Sequence, residues 1–166
     1  MLVTEDSVEN LVLYHSVSQF IYTEARLQDE HHYDEWEALW ADDGVYWVPA
    51  NGADIDPEKE MSIIYDNRSR IALRVRQLHT GRRYAQEPAS SLRRTISNVE
   101  ISVLDNGEIE ASANALIFES NLRGEFVWAA RNIYRLRREG ASFKIAKKTV
   151  ILANNDKALY TLAFLV

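Results

Sequence analysis

The sequence predicts an α+β fold, in which helices from the first half pack on one face of a mainly antiparallel sheet from the second half. Up to residue 80, apolar residues recur at steps of three and four, which is the spacing of a helix face. After residue 90 they alternate with polar residues, which is the spacing of a strand. Helices followed by a run of strands are typical of α+β domains. We expect a single domain over residues 1–166, a length that suits one sizeable core.

The first helix is predicted over residues 6–30. Asp6 and Glu9 have the spacing of a capping box at its start. Its apolar residues form one stripe that is wide enough to pack on a sheet. The stripe consists of Leu11, Tyr14, Val17, Ile21 and Ala25.

Residues 33–49 contain three of the four tryptophans and predict a short helix, a tight acidic turn and a strand. Asp34 is the expected N-cap of the helix, with Glu37 three residues further on. Residues 42–44 are expected to form the turn, and residues 45–48 have the β-branched and aromatic composition of a strand. Such large rings indicate core or subunit interface. The buried helix face comprises Trp36, Leu39 and Trp40.

Residues 61–65 predict a second strand, and a second amphipathic helix follows it. Asp66 is the expected N-cap of that helix. Thr80 and then residues 86–88 are expected to end it. Its apolar face comprises Ile71, Val75 and Leu78.

The remaining chain predicts long strands joined by tight turns at residues 105–107, 121–124 and 139–140. This pattern is typical of an antiparallel meander. Two strands show clear alternation, and their inward residues are Ile109, Ala111, Ala113, Ala115 and Ile117 in one and Phe126, Trp128, Ala130, Tyr134 and Leu136 in the other.

The last residues form an apolar tail, which would promote aggregation if it were free in solvent. We expect it to be tucked into the sheet or buried by another subunit. The tail comprises Leu159, Tyr160, Leu162, Phe164, Leu165 and Val166.

Composition excludes several functions for this chain. It has no cysteine, so it cannot form disulfides, thiolate sites or iron–sulfur clusters by itself. Its net charge of -6 disfavours general nucleic-acid binding. No apolar run is long enough to span a membrane and the N-terminus is polar, so we expect a cytoplasmic protein without membrane contact.

Positive charge is concentrated between residues 68 and 94, whereas the first sixty residues are strongly acidic. The basic segment is either an anion site or an interface, and we favour the interface because arginine is enriched in protein contacts. Its arginines are Arg68, Arg70, Arg74, Arg76, Arg82, Arg83, Arg93 and Arg94.

The histidines offer two hypotheses for chemistry, and we prefer structural roles over both. An iron site would combine His31 or His32 with Asp42 or Asp43, although no spacing motif supports it. Alternatively, His79 with a buried carboxylate would form an acid–base pair in a pocket. The candidate partners in that pocket are Tyr14, Tyr22 and Asp43.

Six motifs in order make the chain resemble the small (β) subunit of the bacterial aromatic-ring-hydroxylating dioxygenases, the Rieske non-haem iron oxygenases. The resemblance covers nearly the whole chain, and the order and spacing of the motifs are more specific than any one of them. The motifs are EARL at residues 24–27, YDEW at 33–36, DDGVYWVP at 42–49, IIYDNR at 63–68, RV at 74–75 with TG at 80–81, and RTISNV at 94–99.

The resemblance implies an NTF2-like (cystatin-like) cone, in which a curved sheet wraps around a long helix. It also implies a structural subunit without catalytic, cofactor or metal residues of its own. The Rieske 2Fe-2S cluster and the mononuclear Fe(II) would belong to the large (α) subunit. The expected assembly is a hexamer of three large and three small chains (α3β3), which receives electrons from NAD(P)H through a reductase, with or without a ferredoxin.

On this interpretation the chain holds large subunits in register while they insert both atoms of O₂ into an aromatic ring. The expected subunit contacts are Trp47, Tyr65, Arg68, Arg74, Arg76 and Arg94. The competing hypothesis is a stand-alone dehydratase or isomerase of the same fold, with an acid–base pair inside the cone.

Overall fold

The computed structural model describes residues 5–80, 89–159, 162 and 164–166. The predicted α+β architecture is confirmed. The helices are α1 (Glu5–Asp29), α2 (Tyr33–Glu37) and α3 (Arg68–His79). The strands are β1 (Trp40–Pro49), β2 (Ser62–Asp66), β3 (Ser91–Val103), β4 (Ile109–Asn121), β5 (Gly124–Glu139) and β6 (Ser142–Leu152).

The six strands form one curved sheet in the order β2-β1-β6-β5-β4-β3. Strands β1 and β6 run parallel, and the other neighbouring pairs in the described sheet are antiparallel. The predicted turn before β4 is also present, with Gly107 at a φ of 83°, a conformation that favours glycine. Both predicted alternations are confirmed, because the inward positions of β4 and β5 are buried except for the partly buried Phe126.

The core lies between the inner face of the sheet and the three helices. Three buried rings meet where α2 leads into β1, namely those of Trp36, Trp40 and Tyr46, with centroids 5.5–5.8 Å apart. The prediction that the tryptophan-rich segment is core is therefore confirmed for these residues. In α3, Ile71 and Val75 are buried as predicted.

Residues 42–44 do not form the predicted turn but lie within β1. Trp40 and Val45 are five positions apart in the chain, whereas their partners on β6, Ile145 and Lys147, are two positions apart. The extra residues form a bulge. The strand begins early because the Trp40 ring is buried and the Ile145 N–H donates to the Leu39 carbonyl at 2.8 Å.

The three predicted helix caps are wrong. Residue 5 already belongs to α1, so Asp6 is not its N-cap. His32 occupies the N-cap position of α2, and the Asp34 carboxylate instead pairs with His79. Asn67 caps α3 by accepting from the Arg70 N–H, because the carboxylate of Asp66 is paired with Arg74.

The apolar stripe of α1 is buried only in its second half. Val17, Ile21 and Ala25 belong to the core, whereas Leu11 and Tyr14 are exposed. Among the described residues, no helix combines the length and the apolar character needed to cross a membrane.

The apolar tail is buried by the chain itself. Phe164, Leu165 and Val166 are all in the core, and Leu159 and Leu162 pack against it. The first of the two predicted alternatives is thus correct for these residues, while Tyr160 lies outside the described part of the chain.

Candidate subunit interface and the buried polar centre

The outer face of the sheet carries the predicted contact pair, Trp47 on β1 and Tyr65 on β2, which are direct cross-strand partners. Their rings lie 6.5 Å apart, and the Lys147 ammonium lies 5.2 Å from the Trp47 ring centroid. The Trp47 Nε1–H donates to the Ser62 hydroxyl at 2.9 Å. Trp47 is only 7% exposed, whereas Tyr65 is 36% exposed. Tyr65 is therefore the member of the pair that a partner can reach.

The phenol of Tyr65 is tied to the loop before β2, because its O–H donates to Glu58 at 3.0 Å. This hydrogen bond raises the pKa of the Tyr65 phenol, since the carboxylate stabilises its protonated form. The ring therefore presents a neutral, fixed edge on this surface.

The arginines of α3 are divided between internal and outward roles. Arg74 pairs with the buried carboxylate of Asp66 at 2.7 Å, so it joins α3 to β2. Arg68 pairs with Glu37 at 2.8 Å and links α3 to α2 while remaining partly exposed. Arg76 is exposed on the last turn of α3.

Arg94 points into the protein, and its side chain is only 1% exposed. Its guanidinium contacts Asp29 at 2.7 Å, Gln28 at 2.9 Å and the main-chain oxygen of Leu165 at 3.0 Å. Arg94 therefore ties β3 to α1 and to the tail. Sequence reasoning missed this role because Asp29 is 65 residues away in the chain.

An apolar patch on the outer face of the sheet was not predicted. Leu116 and Phe118 of β4 and Val127 of β5 are exposed, and Phe118 and Val127 are direct cross-strand partners. Contiguous apolar surface of this kind is typical of protein contact sites. The signal in the sequence is that both faces of these strands carry apolar residues near residues 116–118 and 126–128.

Arg137 of β5 links the β1 bulge to the start of β4. Its guanidinium contacts both carboxylate oxygens of Asp43, at 2.5 and 3.0 Å, and one carboxylate oxygen of Glu108, at 2.7 Å. Hydrogen bonds from Arg137 lower the pKa of the Asp43 and Glu108 carboxyls. Asp43 is thus committed to a structural contact.

A polar centre lies inside the cone around the buried carboxylate of Glu24. It accepts from the Trp36 indole at 3.1 Å, the Tyr134 hydroxyl at 2.9 Å and the Lys148 ammonium at 2.6 Å. Glu24 comes from α1 and Lys148 from β6, so this ion pair joins the helix to the sheet. Sequence reasoning missed the centre, because a lone Lys in a strand gives no sign of its orientation.

Burial has opposite effects on the two ionisable donors of this centre. It lowers the pKa of the Lys148 ammonium, an effect that the neighbouring Glu24 carboxylate opposes. It raises the pKa of the Tyr134 hydroxyl, and Glu24 raises it further. Tyr134 therefore stays a neutral donor to Glu24.

The predicted acid–base pocket does not form. Tyr14, Tyr22, Asp43 and His79 are all exposed, so none of them lines the interior of the cone. His79 pairs with Asp34 at 2.7 Å, a contact between α3 and α2. These four residues therefore do not form the acid–base site that the enzymatic hypothesis requires.

The histidines proposed for iron have other partners or positions. The Nε2 of His31 lies 2.9 Å from the Ser90 carbonyl, which can only accept, so this nitrogen carries the proton. Its Nδ1 lies 2.8 Å from the Tyr33 hydroxyl. His32 is exposed. Within the described ranges, no three His, Cys, Asp or Glu side chains are grouped so that they could hold a metal ion.

Comparisons with known proteins agree with this geometry. Residues 23–156 match the family model described as "Ring hydroxylating beta subunit". The anthranilate 1,2-dioxygenase small subunit of Acinetobacter baylyi is 31% identical over 88% of this chain and 93% of its own. The biphenyl 2,3-dioxygenase subunit beta of Rhodococcus jostii is 29% identical over 92% of this chain and 88% of its own.

The structural comparison finds similar proteins of the same kind. The crystal structure of the β subunit of benzoate 1,2-dioxygenase from Burkholderia mallei superposes with a TM-score of 0.72 and 23% identity over 99% of both chains. That likeness confirms the NTF2-like fold that the sequence predicted. The chain belongs to the family of ring-hydroxylating dioxygenase β subunits.

Proposed function

We propose that this chain is the structural, non-catalytic β subunit of a multicomponent aromatic-ring-hydroxylating dioxygenase. It assembles and stabilises large subunits that add both atoms of O₂ to an aromatic ring. The observation that carries this proposal is how the polar groups inside the cone are bonded. In the part of the chain that the structure describes, Glu24, Tyr134 and Lys148 inside the cone are bonded to one another and to the main-chain oxygen of Val166, so these buried ionisable groups serve the fold.

The iron groups of the holoenzyme would belong to the large subunit. This chain has no cysteine for a Rieske 2Fe-2S cluster, and its described residues contain no cluster of ligands suited to Fe(II). No step of the reaction is therefore assigned to a residue of this chain. Electrons would reach the holoenzyme from NAD(P)H through a reductase, with or without a ferredoxin, in the cytoplasm.

The partner is the large subunit in an α3β3 hexamer, in which this chain forms one domain. Of the six residues expected at the interface, Tyr65, Arg68 and Arg76 have the exposure that a contact requires. Trp47 would act by supporting Tyr65, because it is nearly buried beneath the surface. Arg74 and Arg94 are used within the chain, so we leave them out of the contact surface.

The test is a tagged pull-down of this chain from its native cells, grown on aromatic compounds. The eluate is assayed for subunit ratio, iron and acid-labile sulfide. We expect a larger chain in equal amount that carries both iron and sulfide. An iron-free assembly of this chain alone would contradict the proposal and favour the stand-alone enzyme.

Relatives that are named for anthranilate and for biphenyl have similar identity to this chain. Similarity at this level therefore does not select a substrate. The sequence of the co-purified large subunit is the observation that would narrow it.

A further inference from the structure

Three buried donors from three different elements converge on one oxygen atom, the main-chain oxygen of Val166. The Tyr46 hydroxyl of β1 donates to it at 2.7 Å. The Gln28 amide of α1 and the Lys148 ammonium of β6 each donate to it at 3.1 Å. Three donors on one oxygen, one of them charged, make it a strongly bonded acceptor.

Tyr46 also binds the nitrogen of the same residue. The Val166 N–H donates to the Tyr46 oxygen at 3.0 Å, so one phenol contacts both main-chain polar groups of Val166. Tyr46, Lys148 and Val166 are at most 1% exposed, and Gln28 is 2% exposed. Burial raises the pKa of the Tyr46 phenol, which keeps its proton available for donation.

The apolar side of the same site receives the side chains of the tail. The Phe164 ring packs edge-on against Trp128, with centroids 5.9 Å apart. Arg94 donates to the Leu165 oxygen at 3.0 Å, which fixes the main chain one residue before the convergence point. Polar and apolar contacts together define the ligand as a short apolar peptide segment.

We infer that the interior of the cone is a binding site for an acceptor oxygen attached to a branched aliphatic group, and that residues 164–166 are its internal ligand. The site takes a peptide of this class in trans when the chain's own segment is removed. It draws on the same buried contacts as the proposed function, but no contact with a large subunit enters it, so either one can fail without the other.

The first test uses the full chain with Tyr46→Phe, which removes both contacts of the phenol and keeps the ring. The matched control is Tyr65→Phe, which removes a phenol on the outer face. Hydrogen exchange of the tail, followed by mass spectrometry, should become about tenfold faster in Tyr46→Phe and stay unchanged in the control. Unchanged tail protection in Tyr46→Phe would overturn the inference.

The second test uses a chain truncated after residue 163 and an acetylated tripeptide of sequence FLV. Binding to the folded state should raise the Tm of the truncated chain in a saturable manner. A tripeptide of sequence FLD should have no effect, since it would place a side-chain carboxylate in the apolar core where the Val166 side chain lies. Equal effects of the two peptides would contradict the inference. The full-length variant Val166→Gly, which keeps the main chain, should show faster tail exchange if the truncated chain does not fold.

Discussion

The carboxylate of Glu24 connects four elements of the fold, a role that no single motif in the sequence indicates. It receives donors from α2, β5 and β6 while lying on α1 itself. Glu24 and Lys148 are both fully buried, at 1% and 0% side-chain exposure. A buried ion pair is not a large net source of stability, but the loss of one partner leaves an uncompensated charge. Removing one partner and removing both should therefore have different effects on stability, which can be measured.

Lys148→Met should lower the free energy of unfolding by about 3–5 kcal/mol, because Glu24 would remain buried without a cation. The double variant Glu24→Gln, Lys148→Met should recover a large part of that loss. Urea unfolding of the two variants and the wild type gives the comparison. A double variant that is as unstable as Lys148→Met would show that the cost comes from lost packing, not from unpaired charge.

Asp43→Asn should remove part of the acid sensitivity of the fold. Arg137 lowers the pKa of the Asp43 carboxyl in the folded chain, so the unfolded chain binds its proton more readily. The wild type should therefore be the more stable protein above about pH 5. Its advantage should shrink as the pH falls below about 4 and the carboxyl of Asp43 becomes protonated.

Urea midpoints across this pH range measure the effect, with the exposed neighbour substitution Asp42→Asn as the control. A difference between wild type and Asp43→Asn that stays constant down to the lowest pH would contradict the assignment to Arg137.

At the scale of elements, the predictable parts are those that local periodicity determines. The inward faces of β4, β5 and α3 follow from alternation and from helical spacing, and the structure places them as expected. The helix caps failed because Asp34 and Asp66 bind residues that come 45 and 8 positions later in the chain. The parallel pairing of β1 with β6 joins segments about a hundred residues apart, which local patterns cannot reveal.

Among the residues of the candidate interface, too, local patterns predict some positions and miss those that depend on distant residues. Trp47 and Tyr65 lie side by side because two predicted strands pair locally. Arg94 was expected at the interface because arginine is enriched in protein contacts, but Asp29 and Gln28 bind it inside the chain. The polar centre could not be predicted, since its members come from four separate elements.

Gly44 is the position where the β1 bulge allows no side chain. A Cβ there would lie 2.9 Å from the Trp40 ring and 3.0 Å from the Ala41 oxygen. Gly44→Ala should therefore lower stability by about 1–3 kcal/mol, as overpacking of a core does. Thermal unfolding beside the exposed control Asp42→Ala measures this. Equal Tm values for Gly44→Ala and the wild type would mean that the bulge is not packed as described.

At the scale of the whole molecule, the tail residues that the structure describes pack inside the cone, and the outer surface carries the candidate contacts. The tail occupies the interior, whereas Tyr65 and the apolar patch of Leu116, Phe118 and Val127 face outward. This distribution fits a subunit that acts through its surface. It also separates assembly from chemistry, because a surface change should alter how much complex forms and not what each complex produces.

Tyr65→Ala, co-expressed with the large subunit, tests that separation most directly. Native mass spectrometry gives the amount of assembled complex. Product analysis gives the ring position that the assembled complex attacks. Tyr65→Phe is the control because it keeps the ring. We predict less complex for Tyr65→Ala, with an unchanged product from each complex that forms. Full assembly with a changed ring position would contradict a purely structural role for this chain.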